Sequence, residues 1–353
     1  MPRSLPPHEC YSLKLSCLNY GLALFEPNPS GDYDFVRIGD VGYMSEHGKF
    51  IKLFNAFSPP GSLENRGFGL PAGFEPIPEV YQKKTQLESL QPGCRKSESV
   101  RMIAGSFSIS GSVLEVTASS SITLSCSSRA GAALITKFRA TRNAALASKG
   151  MEDYMLSNCF SWLQLAHNLG RPVSLHDLIF VRECILTGDW ANISWNNTVC
   201  DTDISFEAGV PGVVGTELSF WGQWQQQVEV PKRQGPFRET PLSDGTAPPF
   251  DQCIFLKGLR LFERTWYEKV INSLKVTSQG SKKKMKKMQS MQSGLKLMID
   301  KNFKVAPVGD PGAFRLIKST YDVLAFYLFE NSDADLTLID DNDVFSLGLM
   351  LIH

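Results

Sequence analysis

The stretch GSFSISGSVLEVTASSSITLSCSS, residues 105–128, most narrows what this chain can fold into. Ten of its residues are serine and Glu115 is its only charge. Phe107, Ile109 and Val113 share one sequence parity, while Ser106, Ser108, Ser110 and Ser112 take the other. That is the period-two alternation of a strand with one face on a core. At Val113–Leu114 the parity flips, and Leu114, Val116 and Ala118 continue the apolar set. A one-residue slip of this kind predicts a β-bulge or a register change. ITLSC then resumes with Ile122, Leu124 and Cys126, so residues 103–135 are expected to form antiparallel strands of one sheet.

Such a strand pair admits two readings. One is a sheet with a core face and a water face, common for antiparallel strands. The other is a hairpin that refolds to cross a bilayer. A membrane strand needs roughly nine to eleven residues. Residues 103–116 and 122–135 are long enough, and their only charges, Glu115 and Arg129, lie near a strand end or turn. Few internal charges keep the cost of insertion low.

The remainder reads as strands, a helix pair, strands and a mixed tail. Apolar runs at LNYGLALFEPN and YDFVRIGDVGYM flank the turn cluster PNPSGD. GKFIKLFNAF fits both a helix face and a strand, with strand favoured because it follows strand-like sequence. FRATRNAALASKG is rich in helix formers and stops at Gly150. MEDYMLSNCFSWLQLAHNLG places Met155, Cys159, Trp162, Ala166 and Leu169 on one helical face and ends at Gly170. Trp162 is therefore expected in the core, facing the sheet. LHDLIFVRECIL, TDISFEA, TELSFWGQWQQQVEV and QCIFLKGLRLFERTWYEKV read as later strands, and YDVLAFYLFEN as a helix. Helices between groups of antiparallel strands predict an α+β class, a twisted and mainly antiparallel sheet with a central helix pair. The expected organisation is a main α+β domain over residues 1–277, with a long loop at 58–100 and a proline-rich connector at 231–250. A basic flexible loop at 278–293 follows, then a small C-terminal helical and strand segment at 294–353 packing on the main domain.

Enzyme signatures are missing from the sequence. It contains no GxSxG elbow, no HExxH and no GxxxxGK[ST] loop. None of its five histidines pairs with another at metal-ligand spacing. His176 precedes Asp177, but adjacent strand residues point to opposite faces. Asp340, Asp341 and Asp343 read either as a cation site or as a helix start, the latter favoured. No catalytic residue, cofactor or metal is expected. Lysine plus arginine equals aspartate plus glutamate, at 36 each, so no global field draws the chain to nucleic acid. Eight scattered cysteines without a CxxC pair suggest reduced thiols in a cytoplasmic protein. The acceptor patterns at Asn192 and Asn196 are read as chance. Trp190, Trp195, Trp221, Trp224 and Trp266 read as core residues or as a membrane-interface belt, the core being favoured.

Two basic clusters remain. Lys137, Arg139, Arg142 and Lys149 decorate the first expected helix, and Lys282, Lys283, Lys284, Lys286 and Lys287 form KKKMKK. Each cluster is either a solvated surface or a site for anionic lipid, worth about 1 kcal/mol per basic residue, and the lysine run also reads as a nuclear-import signal. These nine are the candidate lipid-binding residues.

RIGDVGYMSEHGKFIKLFNA, SWLQLAHNLGRPVSLHDLIFVRECILTGDW, QCIFLKGLRLFER and YDVLAFYLFENSDADLTLIDDNDVFSL resemble a family of uncharacterised proteins from mushroom-forming fungi. That resemblance implies no activity. A weaker one is to the N-terminal domain of gasdermins. YDFVRIGDVGY is similar to their early strand, SGSVLEV…SSITLSCSS to their first membrane-inserting hairpin, and DLIFVRECILT to the strand after their central helices. It implies a gasdermin-like sheet that binds an acidic phospholipid membrane, associates with it on activation and forms a homo-oligomer there. The alternative is a soluble interaction or recognition module of a fungal self/nonself response.

Overall fold

Antiparallel strands dominate the computed structural model. It describes residues 5–29, 34–67, 69–82, 84–104, 109–110, 113–114, 120–146, 148–196, 202–208, 222–224, 230–236, 249–270 and 320–344. Among these the strands are, in chain order, β1 (Leu22–Ala23), β2 (Asp40–Met44), β3 (Phe50–Asn55), β4 (Lys84–Leu90), β5 (Gly93–Lys96) and β6 (Val100–Ala104). β7 (Ile109–Ser110), β8 (Val113–Leu114), β9 (Ser120–Cys126), β10 (Ala130–Thr136), β11 (Ala140–Ala145) and β12 (Leu178–Thr187) follow. The last are β13 (Trp190–Asn196), β14 (Thr202–Ala208), β15 (Gly222–Trp224), β16 (Lys232–Gly235), β17 (Gln252–Glu263) and β18 (Leu336–Asp340). The helices are α1 (Pro7–Leu15), α2 (Ser148–Asn168) and α3 (Thr320–Glu330). The class is α+β, and the chain divides into two units.

The larger unit holds the described residues between 5 and 173 and between 179 and 258. Its first sheet runs β1–β17–β12–β11–β4, and β2 pairs with both β12 and β3. A second sheet runs β16–β13–β10–β5 and a third β15–β14–β9–β6. β10 shows why the second sheet lies between the other two. Ala132 and Leu134 pack with Tyr11, Leu15, Phe25, Ile254 and Phe255 on one side. Ala133 and Ile135 pack with Ile122, Leu124, Trp195 and Phe206 on the other. A strand buried on both faces reads as the continuous apolar run AGAALIT, whereas over 122–126 β9 buries alternate residues, Ile122, Leu124 and Cys126.

α2 covers the first sheet on its far side. Met155, Cys159 and Trp162 are buried as the spacing predicts. The Trp162 ring meets Phe54 of β3 and Phe180 of β12 edge-on, at 5.7 and 5.3 Å. Phe180 differs in parity from Ile185, which faces the second sheet, so β12 presents opposite sides to the two neighbours. Beyond the helix, Gly170 adopts φ +69°, the left-handed conformation of a helix stop. At Gly21, φ is +99° and a Cβ would clash with the Leu256 carbonyl oxygen. Gly21→Ala is therefore expected to cost at least about 1 kcal/mol; an unchanged urea midpoint would contradict this.

Several expectations are corrected. The central helix pair is one helix preceded by a strand: residues 140–145 form β11, paired with β12 and β4. Helix propensities differ by only tenths of a kcal/mol, and two strand neighbours outweigh them. Residues 58–100 are not one loop, since β4 and β5 lie within them, and β16 lies within the expected connector 231–250. Residues 103–135 do not share one sheet, because β9 and β10 belong to different sheets. The parity switch at Val113–Leu114 is no bulge either. Ile109 pairs with Leu114 and Ser110 with Val113, so the chain reverses between β7 and β8. Partners in such a hairpin are separated by odd numbers, which is what the switch records.

Of the described residues, the smaller unit holds 174–178, 259–270 and 320–344. The last residues of β17 pair with β18, from Leu259 opposite Asp340 to Glu263 opposite Leu336. The chain is helical over 264–270, and Phe262, Trp266, Phe326, Phe329 and Ile339 form the core. Asp340 and Asp343 cap the helical turn 341–344. The Asn342 N–H donates to Asp340 Oδ1 at 2.8 Å, and the Asp340 N–H to Asp343 Oδ2 at 3.0 Å. The helix-start reading of these aspartates is the one realised.

Candidate functional site

The four basic residues expected on one helical segment do not share a helix. Arg142 lies on β11, with Nε 2.7 Å and Nη2 3.0 Å from the two carboxylate oxygens of Glu183. Lys257 Nζ approaches the same carboxylate at 3.8 Å, and both Glu183 and Lys257 are buried. Arg142 is thus held inside a plus–minus–plus triad. Lys149 is exposed in the first turn of α2 and pairs with Asp153 at 2.9 Å, a contact that raises its pKa. Arg139 is exposed beside β11, and Lys137 Nζ lies 5.2 Å above the Phe138 ring. Lys282, Lys283, Lys284, Lys286 and Lys287 lie outside the described residues. The signal that Arg142 has a partner was in the sequence: Glu183 is a lone acid within the apolar run LIFVRECIL.

The surface that sequence reading missed lies on β6, which ends the third sheet among the described residues. Register with β9 shifts between Met102 and Ala104, so Ile103 is an inserted residue. Bulges at sheet edges re-aim side chains. Ile103 is 58% exposed and Met102 48%, although Leu124 opposite Met102 is fully buried. Arg101, also exposed, sits opposite Ser125. The half-exposed side of the sheet carries hydroxyls, with Thr123 and Ser205 hydrogen-bonded across strands at 2.8 Å. An apolar pair beside a cation therefore rims a sheet whose inner face is core.

Several other ionisable groups are buried. Burial raises the thiol pKa of Cys10, Cys94, Cys184 and Cys253, to about 11 for Cys94 and about 12 for Cys184. That is the reverse of an activated thiolate. In the smaller unit Arg260 is drawn down by desolvation, opposed by Asp341, Asp322 and Asp177, and stacks 4.4 Å over Tyr321. His176 and Asp177 occupy a 3-10 turn, not the expected strand, and the His176 ring stacks on Phe262. Asn192 is fully buried and donates to the Phe25 carbonyl, so no glycan can reach it in the folded chain. Trp190, Trp195, Trp224 and Trp266 are buried and belong to cores; Trp221 lies outside the described residues. Among the described residues, no helix is long and apolar enough to cross a membrane.

No protein-family model, no curated protein and no solved structure matches this chain.

Proposed function

We propose that this chain is a non-enzymatic membrane-binding protein that engages acidic phospholipid through the β6 edge at Arg101, Met102 and Ile103. The carrying observation is the bulge that lifts Ile103 beside Met102 at the rim of a hydroxyl-bearing sheet. Apolar side chains flanked by cations bind at a bilayer interface, the apolar part entering the headgroup boundary and the charge meeting phosphate. Lys137 and Arg139 add attraction, while Arg142 does not contribute, because Glu183 holds it. Any gasdermin-like step after binding is a refolding of the 103–135 strands into the bilayer by several copies together. An open strand edge is too costly in hydrocarbon, and only a closed ring removes it.

A second reading, a protein-interaction module without membrane activity, is favoured by one observation. Two of the four cations expected to face lipid are already paired, Arg142 with Glu183 and Lys149 with Asp153.

The test is co-sedimentation with phosphatidylserine-containing liposomes. Met102→Asp/Ile103→Asp should weaken binding at least about tenfold, the loss of roughly 1.4 kcal/mol, with the urea midpoint unchanged. Lys137→Glu/Arg139→Glu should weaken it at low salt and matter less at high salt. Binding by the Met102/Ile103 variant equal to that of the parent chain would remove the β6 edge from the account.

A further inference from the structure

The outward face of the third sheet sets a cation and a carboxylate in one cross-strand row. Arg101 of β6 lies opposite Ser125 of β9, and Ser125 lies opposite Asp203 of β14. Residues directly opposite each other on an antiparallel pair project from the same face. Their strand neighbours fix which face it is. Val100, Leu124, Cys126 and Ile204 are buried, whereas Arg101 and Asp203 are exposed and Ser125 is half-buried. Among the described residues, neither Arg101 nor Asp203 makes an ion pair. Beside the row, Thr123 and Ser205 hydrogen-bond to each other at 2.8 Å, and the next acid along β14 is the half-buried Glu207.

A carboxylate is out of place on a face that meets acidic lipid unless a cation covers it. Arg101 and Asp203 stand two strand spacings apart, about 10 Å at the backbone, with the Ser125 hydroxyl between them. A ligand that carries a negative and a positive group on a short linker satisfies both at once. The planar guanidinium of Arg101 suits a phosphate, which it can hold through two parallel hydrogen bonds. The Asp203 carboxylate accepts hydrogen bonds from an ammonium. Met102 and Ile103 follow Arg101 directly on β6. When that apolar pair enters the headgroup boundary, the row beside it comes to the level of the headgroups.

We infer that the Arg101–Ser125–Asp203 row is a subsite for a phospholipid headgroup that bears both a phosphate and a primary ammonium; this rests on the membrane reading of the β6 edge. Arg101 takes the phosphate, the Ser125 hydroxyl donates to a phosphate oxygen, and Asp203 takes the ammonium. The quaternary ammonium of choline has no N–H to donate, so phosphatidylcholine is a poor occupant. The extra carboxylate of phosphatidylserine would face Asp203, so phosphatidylethanolamine is the better fit. Acidic lipid then supplies the general attraction, and ethanolamine lipid the seated headgroup.

Flotation of the full chain with two vesicle sets tests the subsite. Both sets hold the same fraction of phosphatidylglycerol; the remainder is phosphatidylcholine in one and includes phosphatidylethanolamine in the other. At this constant charge, ethanolamine lipid should tighten binding at least about threefold, the scale of one exposed ion pair. Asp203→Asn should erase the difference between the sets, which an effect of lipid packing alone would leave in place. Arg101→Gln should weaken binding to both sets. Soluble O-phosphoethanolamine should compete with the ethanolamine vesicles more strongly than inorganic phosphate does at the same ionic strength. Equal binding of the two sets by the parent chain, or a difference that survives in the Asn variant, would overturn the subsite and leave the acidic-membrane reading standing. Equal binding of the sets together with shifts of the Ser125 and Asp203 amide resonances by O-phosphoethanolamine would assign the row to a free aminophosphate and overturn the lipid. No flotation with either set would overturn the subsite and the membrane reading together.

Discussion

Glu183→Gln is expected to destabilise the larger unit by about 3–5 kcal/mol. The substitution keeps the shape of the side chain and removes its charge. It takes the shared negative charge away from the Arg142 guanidinium and the buried Lys257 ammonium. The large figure reflects this asymmetry. An intact buried ion pair adds little net stability, but removing one partner from it is costly. Arg142 retains 29% side-chain exposure, which places the effect toward the lower end of the range. Urea denaturation of parent and variant measures it. A change below about 1 kcal/mol would mean that water already solvates the two cations, as at an ordinary surface pair.

Trp162→Ala is expected to cost about 3–5 kcal/mol as well, by a different mechanism. The indole is 1% exposed and contacts Phe54, Phe180 and Tyr154 with ring centroids between 5.3 and 5.9 Å. Truncation removes the transfer energy of the ring and leaves a cavity that two strands and a helix cannot easily collapse. Trp162→Phe should recover much of the loss, since it restores an aromatic edge against the same neighbours. An unchanged denaturation midpoint for Trp162→Ala would show that α2 contributes nothing to the stability of the first sheet.

The two substitutions mark which parts of the fold were legible. Trp162 was visible because α2 packs on one side only, and one-sided burial prints its period on the sequence. β10 and β12 were visible because central strands demand continuous apolar residues. β4, β5 and β16 were not, because each ends a sheet. Edge strands are guarded by polar and charged residues, as in KTQLESL, GCRK and KRQG, and so lose their apolar alternation. β11 was misread for a related reason. Its residues favour a helix in isolation, but the β4 and β12 ladders on either side of it, and the Glu183 contact, are long-range and leave no local pattern. The β6 surface was hidden by the bulge. Period-two reading assigns each residue a face, and an inserted Ile103 breaks that bookkeeping at the very position that becomes exposed.

Flotation of the purified full chain with liposomes tests the central claim most directly. Vesicles of phosphatidylcholine alone and vesicles containing phosphatidylserine are compared at low salt and at physiological ionic strength, where screening sets in over about 8 Å. The membrane account predicts flotation with the acidic vesicles, weakened by salt, and none with the neutral ones. A chain that stays at the bottom of the gradient with both, even at low salt, would contradict it and leave the protein-interaction reading in its place.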